Sequence, residues 1–339
     1  MKAFNLIETG KGLESWRRVE LPDPTPGPGQ VLIRVKAVSL NPRDLMIISG
    51  SYPLPLKENL IPVSDGAGEI VAVGPGVTRW KVGDRVFGSY FQQWHNGEIA
   101  PDAQLHALGG SLNGMLAQLV PLPESGVIRV PDHLSYEEAS TLPVAAATAW
   151  NAVMESEPRM NPGATVLTLG TGGVSLFAIQ FAQACGYRVI ATTSSQVKTE
   201  RLRSFGVSDV INYKETPNWQ QEVLRLTNGL GVDQVIEVGG TGTLPKSLES
   251  VRSGGFVTLV GLLTGFADPI NISPILFKAV RLQGAGVGSI QMAEAMTHTI
   301  TARKLKPVIA EIFGFEAAKD ALAKLQDAER FGKIVIRID

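Results

Sequence analysis

A strand-like segment, Thr165 to Leu169, runs into Gly170-Thr171-Gly172-Gly173-Val174-Ser175 and then into an apolar helical period. Backbone that must approach a pyrophosphate needs residues without side chains, and a helix opening there supplies free N–H groups and a positive dipole end. Gly170 and Gly172 meet the first need, while Ser175 holds the third position of the usual glycine fingerprint. One strand further on, Tyr187 to Thr193 ends in Thr193-Ser194-Ser195, with Lys198 a helical turn beyond. A site that selects NAD places an acid at that strand end to hold the ribose hydroxyls. Hydroxyls with an ammonium suit a 2′-phosphate instead, so the expected cofactor is NADP(H), with NAD the alternative. Metal chemistry has less to work with. Cys185 is the only cysteine, and His95, His106, His133 and His298 are scattered without ligand spacing, so no thiolate-based metal site is expected.

The elements that must position this loop are legible in the periodicity. Strand cores near 164–169, 187–193, 207–211, 232–238, 256–262 and 281–287 alternate with helical periods such as Val174, Ala178, Phe181 and Cys185. Alternation of this kind predicts crossover units and a doubly wound parallel sheet, an α/β dinucleotide domain. Before it, residues to about 130 read as short strands and turns. Val31, Ile33, Val35 and Ala37 alternate with Leu32, Arg34 and Lys36; Glu69–Val73 and Asp84–Phe87 are further strands; 89–118 is aperiodic and expected to be a long surface loop. Ser135 and Glu138 have capping-box spacing ahead of an Ala-rich helix running towards Met154. After the sheet come helices near 292–303 and 315–327 and a last strand, 333–338. That stretch is too short to fold alone and is expected to pack back onto the first.

Composition bounds the rest. A chain of 339 residues with 44% hydrophobic and 19% charged residues is long enough for two domains and too apolar for disorder. A net charge of −1 gives no general field for nucleic acid or an anionic membrane. Neither a secretory signal nor a membrane-length apolar run is visible, so a cytoplasmic protein acting on a small-molecule substrate is expected.

Several segments together resemble the medium-chain dehydrogenase/reductase superfamily, near its quinone oxidoreductase and zinc-type alcohol dehydrogenase-like branches. They are Pro28-Gly29-Gln30-Val31-Leu32-Ile33-Arg34-Val35, Asn41-Pro42-Arg43-Asp44, Asp65-Gly66-Ala67-Gly68-Glu69, Val82-Gly83-Asp84-Arg85-Val86, the glycine loop, and Gly332-Lys333-Ile334-Val335-Ile336. The resemblance implies a GroES-like β-barrel catalytic domain over 1–145 plus 288–339. It also implies a Rossmann NAD(P)-binding domain inserted over 146–287, with the active site in the cleft. Family dimers imply a homodimer through the edge strand 281–287.

Residue roles follow from the same resemblance. Where zinc relatives carry their ligands this chain has Asn41, Ser64 and Val144, which implies a metal-free member. Donors must then meet the charge that develops on substrate oxygen. Asn41 is expected to offer its amide and Tyr52 its phenol, either as a proton donor or simply as a packed tyrosine, while Asp44 braces the loop. On the cofactor side the resemblance implies Thr148, Tyr213, Val238, Gly239, Val260, Gly261 and Leu262, besides Gly170 to Val174 and the 193–198 segment. Lys333 is expected to reach the cofactor, and Trp94 either to line the cleft or to pack in the core. The implied reaction is hydride transfer from NAD(P)H to a quinone, enone or other carbonyl-conjugated acceptor. The alternatives are oxidation of small alcohols and a non-catalytic nucleotide-binding or structural role.

Overall fold

The computed structural model describes residues 1–155 and 159–339. The chain divides into two units, Met1–Ala147 with Val287–Asp339, and Thr148–Gly286.

In the Thr148–Gly286 unit six strands pair in parallel. Their order across the sheet is Asp209–Asn212, Arg188–Thr193, Thr165–Leu169, Val232–Glu237, Val251–Leu259 and Arg281–Gly284. The chain-order pattern 3-2-1-4-5-6 is that of a Rossmann sheet, as the alternation of periods predicts. Strands covered on both faces become continuous apolar runs. Val166, Leu167, Ile190, Val235, Ile236 and Val257 are accordingly all buried. Strand order reverses between Thr165–Leu169 and Val232–Glu237, and ligands of such sheets bind beyond the carboxyl ends of strands at that point.

The other unit holds a seven-stranded sheet. Ile309–Gly314, Lys333–Arg337, Gln30–Ser39, Asp65–Val73, Arg85–Gly88 and Val127–Arg129 lie in that order, with Leu119–Pro123 also paired to Gln30–Ser39. The chain ends share one core here, since Phe315, Leu322, Ile334 and Ile336 pack in the same cluster as Phe4, Ile33 and Val38. The closing strand pairs antiparallel with Gln30–Ser39, setting Val335 opposite Ser39. An antiparallel pair between Lys2–Leu6 and Trp16–Glu20 completes the unit and was not anticipated.

Two local expectations fail for identifiable reasons. The Ser135–Glu138 capping box forms, but its helix ends at Ala139, and a π-turn over Leu142–Ala146 intervenes before helix Ala147–Met154. The hydroxyls of Ser140 and Thr141 donate back to the carbonyls of Glu137 and Glu138, and Pro143 has no N–H to extend the ladder. The 89–118 segment, expected as a surface loop, is exposed over 95–102, but on either side of that stretch it folds inward around Tyr90, Phe91, Trp94, Ala103 and Ala107, all buried. Its aromatics meet edge to face, Tyr90–Phe91 at 4.5 Å and Phe91–Trp94 at 5.7 Å between centroids. Trp94 is therefore a packing residue, its Nε1 donating to the Gly97 carbonyl. Among the described residues no helix is long and apolar enough to cross a membrane.

Candidate active site

The strand Gln30–Ser39 ends where helix Pro42–Ser49 begins, and Asn41 is the residue between strand end and helix, in extended conformation as its N-cap. Asp44, in the first helical turn, accepts the Asn41 backbone N–H at 2.8 Å, which fixes the turn. Two residues before Val335, the antiparallel register places Lys333 across from Asn41. Its Nζ donates to Asn41 Oδ1 at 2.6 Å and to the Leu40 carbonyl at 2.6 Å, and lies 3.5 Å from Asp65 Oδ2. Asp65 also accepts from Ser64 Oγ at 2.9 Å and lies 3.1 Å from Ser39 Oγ. Asn41, Asp44, Ser64, Asp65 and Lys333 are all buried.

The electrostatics follow from that burial. Desolvation pushes the Asp44 carboxyl up to about 6, against the opposing pull of the Asn41 N–H and the Arg43 charge. Desolvation likewise holds the Lys333 ammonium below its ordinary value, although Asp65 and Asp44 favour the charged form. One polar group in the cluster has no protein partner: Asn41 Nδ2 is buried and donates to nothing among the described residues. Lys333, expected to reach the cofactor, is engaged with Asn41 and Asp65 in this structure.

Tyr52 belongs to a neighbouring group. The Arg43 guanidinium carbon lies 4.9 Å from the centroid of the Tyr52 ring and 5.1 Å from that of Tyr90, and Nη1 donates to the Leu108 carbonyl. Burial raises the Tyr90 phenol more than Arg43 lowers it, so it stays protonated. Val63, next to Ser64, takes φ +68°, a left-handed conformation unusual for a β-branched residue. Its carbonyl accepts from the Met115 N–H, and a Cβ at Gly114 would stand 2.2 Å from that carbonyl oxygen. This strained approach to Ser64 and Asp65 has no signature in a single sequence, because the contacts that impose it come from residues 50 positions away.

In the Rossmann unit Gly170 takes φ +73°, and helix Gly173–Ala184 opens with Gly172 as an N-cap that has no side-chain hydrogen bond. Its first-turn amides therefore have no intrahelical acceptor. A Cβ built on Gly172 meets nothing within 4 Å, so the backbone borders open space. Ser175 explains its place in the fingerprint, since its Oγ donates to the Leu169 carbonyl at 2.7 Å and closes the turn onto the strand.

Register brings the adenosine-side candidates together. Asn212 pairs with Thr193, and the next residue, Tyr213, donates its N–H to the Thr193 carbonyl. Thr193 Oγ1 is buried without a partner among the described residues, Ser195 caps helix Gln196–Ser204, and Lys198 is buried in its first turn. The strand ends expected to face the nicotinamide are joined as well. The Val260 N–H donates to the Glu237 carbonyl, and the Thr264 N–H to that of Gly239. A Cβ at Gly261 would stand 2.5 Å from the Val238 carbonyl oxygen, so that position requires glycine. Leu262 is exposed beside it, while Thr148 is buried in helix Ala147–Met154. Sequence reasoning missed Glu237, whose buried carboxylate accepts the amides of Gly239 and Gly240 and the hydroxyls of Thr243 and Ser247, fixing the whole turn.

Comparison with known proteins agrees with this architecture. Residues 27–132 match the alcohol dehydrogenase GroES-like domain and residues 173–302 the zinc-binding dehydrogenase family. A zinc-type alcohol dehydrogenase-like protein of Schizosaccharomyces pombe is 41% identical over 92% of this chain and 92% of its own. A quinone oxidoreductase of Pseudomonas aeruginosa is 31% identical, covering 85% of this chain and 80% of its own. The crystal structure of an NAD-dependent alcohol dehydrogenase superposes with a TM-score of 0.91 at 30% identity over 100% of both chains. The fold is thus a GroES-like domain combined with a Rossmann domain, and the chain belongs to the medium-chain zinc-type alcohol dehydrogenase-like family of oxidoreductases, which includes quinone oxidoreductases.

Proposed function

We propose that the protein is an NADPH-preferring, zinc-independent reductase that delivers hydride to a quinone, enone or other carbonyl-conjugated acceptor. The observation that carries this reading is Asn41, whose buried amide nitrogen has no partner among the described residues at the position where zinc relatives have a ligand.

The donor set there does not suit zinc. Asn41 Oδ1 is taken by an ammonium, Ser64 Oγ donates to Asp65, and Val144 offers no donor atom. Among the described residues no group of three His, Cys, Asp or Glu side chains is placed to hold a metal ion.

The glycine loop does suit a dinucleotide. The amides of Gly172 to Val174 and the open face of Gly172 would take the pyrophosphate, with Gly170 and Thr171 shaping the turn. Thr193, Ser194, Ser195, Lys198 and Tyr213 would take the 2′-phosphate end, and Thr148, Val238, Gly239, Val260, Gly261 and Leu262 the nicotinamide end. When bound, the reduced dinucleotide supplies the hydride. Asn41 Nδ2 donates to the acceptor oxygen as negative charge gathers there, where a preorganised donor in a dry site acts most strongly. Tyr52, held by Arg43, is the group that returns a proton, and Asp44 keeps Asn41 in place.

A second reading, alcohol oxidation, is favoured by the likeness to the NAD-dependent alcohol dehydrogenase structure. Exposed Leu276 and Phe277, close in sequence to the sheet-edge strand Arg281–Gly284, support a homodimer. The test is oxidation of NADPH and NADH against a panel of quinones, enones and aldehydes, with alcohols plus NAD(P)⁺ run in reverse. Turnover confined to alcohols would transfer the assignment to the second reading, and tight NADPH binding with no turnover would remove both.

A further inference from the structure

We propose that Lys333 is a positioning residue for hydride acceptance, its ammonium locking the Asn41 amide so that Nδ2 faces the substrate oxygen. The proposal rests on Asn41 being the donor and adds the reason its orientation is unambiguous. An ammonium has three N–H donors and no acceptor. Lys333 Nζ has three oxygens around it, Leu40 O and Asn41 Oδ1 at 2.6 Å and Asp65 Oδ2 at 3.5 Å. If the Asn41 amide flipped, an NH₂ would confront the NH₃⁺, and one of the ammonium's protons would lose its acceptor. The cation therefore dictates that Oδ1 faces the ammonium and Nδ2 turns away from it.

Nδ2 is a buried donor without a protein partner among the described residues, as are Nε and Nη2 of Arg43 two residues on. Buried polar groups almost always have partners, so an orphan fixed in one orientation is expected to have an external acceptor. Drawing electron density toward Oδ1 also polarises the amide and strengthens its N–H groups as donors. Asp65, itself tied to Ser64 and close to Ser39, supplies the counter-charge that lets the ammonium stay buried. The cluster thus places a protein cation one amide away from the reacting oxygen. In this proposal Lys333 acts through Asn41.

The experiment is a double-mutant cycle of Lys333→Met and Asn41→Ala. For each variant kcat and KM are measured with the best acceptor, NADPH Kd by titration, and Tm. Lys333→Met is expected to lower kcat by about 10–10²-fold, less than outright removal of the donor. NADPH Kd should hold within about twofold, and the loss should vanish in the Asn41→Ala background, because both changes disable one interaction. Lys333→Gln, whose amide can still donate to Asn41 Oδ1, should recover much of the rate. Equal losses of kcat in both backgrounds, or a matching loss of NADPH affinity, would overturn the proposal. Unaltered kcat in folded Lys333→Met would do the same. If removing the cation leaves Asp65 uncompensated and the single variant does not fold, Lys333→Met/Asp65→Asn removes both charges and is judged by the same cycle. Should Asn41→Ala turn over normally, it is the donor assignment that fails. A loss in Lys333→Met alone would then mark a role for Lys333 independent of Asn41.

Discussion

The Lys333 cluster and the glycine loop solve opposite problems. Around Lys333, two carboxylates, two serines and an ammonium are closed on one another inside the fold, and among the described residues the amide donor Asn41 Nδ2 is left over. Around Gly172 the side chains are removed, and it is backbone that stands open. The first region is preorganised by buried charge and the second by absence. A reacting oxygen gains most from one fixed donor in a dry setting, whereas a pyrophosphate gains from several backbone amides and a helix dipole. Mutations should therefore separate the two regions by what they disturb, rate in one and affinity in the other.

The largest effect expected is on rate. Asn41→Ala should lower single-turnover NADPH oxidation by about 10²–10³, or roughly 3–4 kcal/mol, with NADPH affinity little changed. A comparable loss of NADPH affinity would make Asn41 a cofactor residue and erase the contrast.

Next comes a pH effect confined to the cluster. The folded Asp44 carboxyl titrates near 6 rather than at its ordinary 3.8 because burial disfavours its charge. The stability that its neutral form lends is fully present below about pH 4 and is lost as pH rises through about 6. Relative to Asp44→Asn, the wild type should lose about 2–3 kcal/mol of unfolding free energy across that window. Parallel pH profiles in denaturant titrations would contradict the buried-charge account.

Gly172→Val sharpens the other side. Its φ of −76° suits any residue, and its Cβ would meet no protein atom, so Tm should hold. NADPH affinity should fall by about 10–10²-fold through lost charge-assisted hydrogen bonds, roughly 1.5–3 kcal/mol. A drop in Tm without a change in affinity would make the loop a packing feature. The smallest effect is selectivity. Lys198→Ala should cost NADPH roughly tenfold more than NADH if its ammonium meets the 2′-phosphate. Equal losses would return the strand end to a structural role.

The two regions also differ in how far they could be read from the sequence. The glycine loop, its strand and its helix are contiguous, so composition and period expose them, and the six-strand alternation foretells the Rossmann order. Asn41 and Asp44 stand out by resemblance, and their mutual bond is local. Lys333 lies 292 residues from Asn41, and only the pairing of the closing strand with Gln30–Ser39 brings them together. A lysine beside a terminal strand carries no mark of that register, so its bond to Asn41 could not be foreseen. Glu237 and Val63 were silent for a related reason: one acts through turn amides that follow it, the other through backbone contacts made by residues far along the chain. In the 89–118 segment the aromatics are spaced without helix or strand period, so their inward packing could not be seen from pattern alone.

In the proposed mechanism a protein donor backed by a buried ammonium stands where zinc relatives carry a metal ligand. The most direct measurement is zinc content, by mass spectrometry, together with NADPH-dependent turnover, on one preparation before and after exhaustive dialysis against chelator. The account predicts far less than one zinc per chain and turnover unchanged by the chelator. Stoichiometric zinc whose removal abolishes turnover, and whose return restores it, would contradict it.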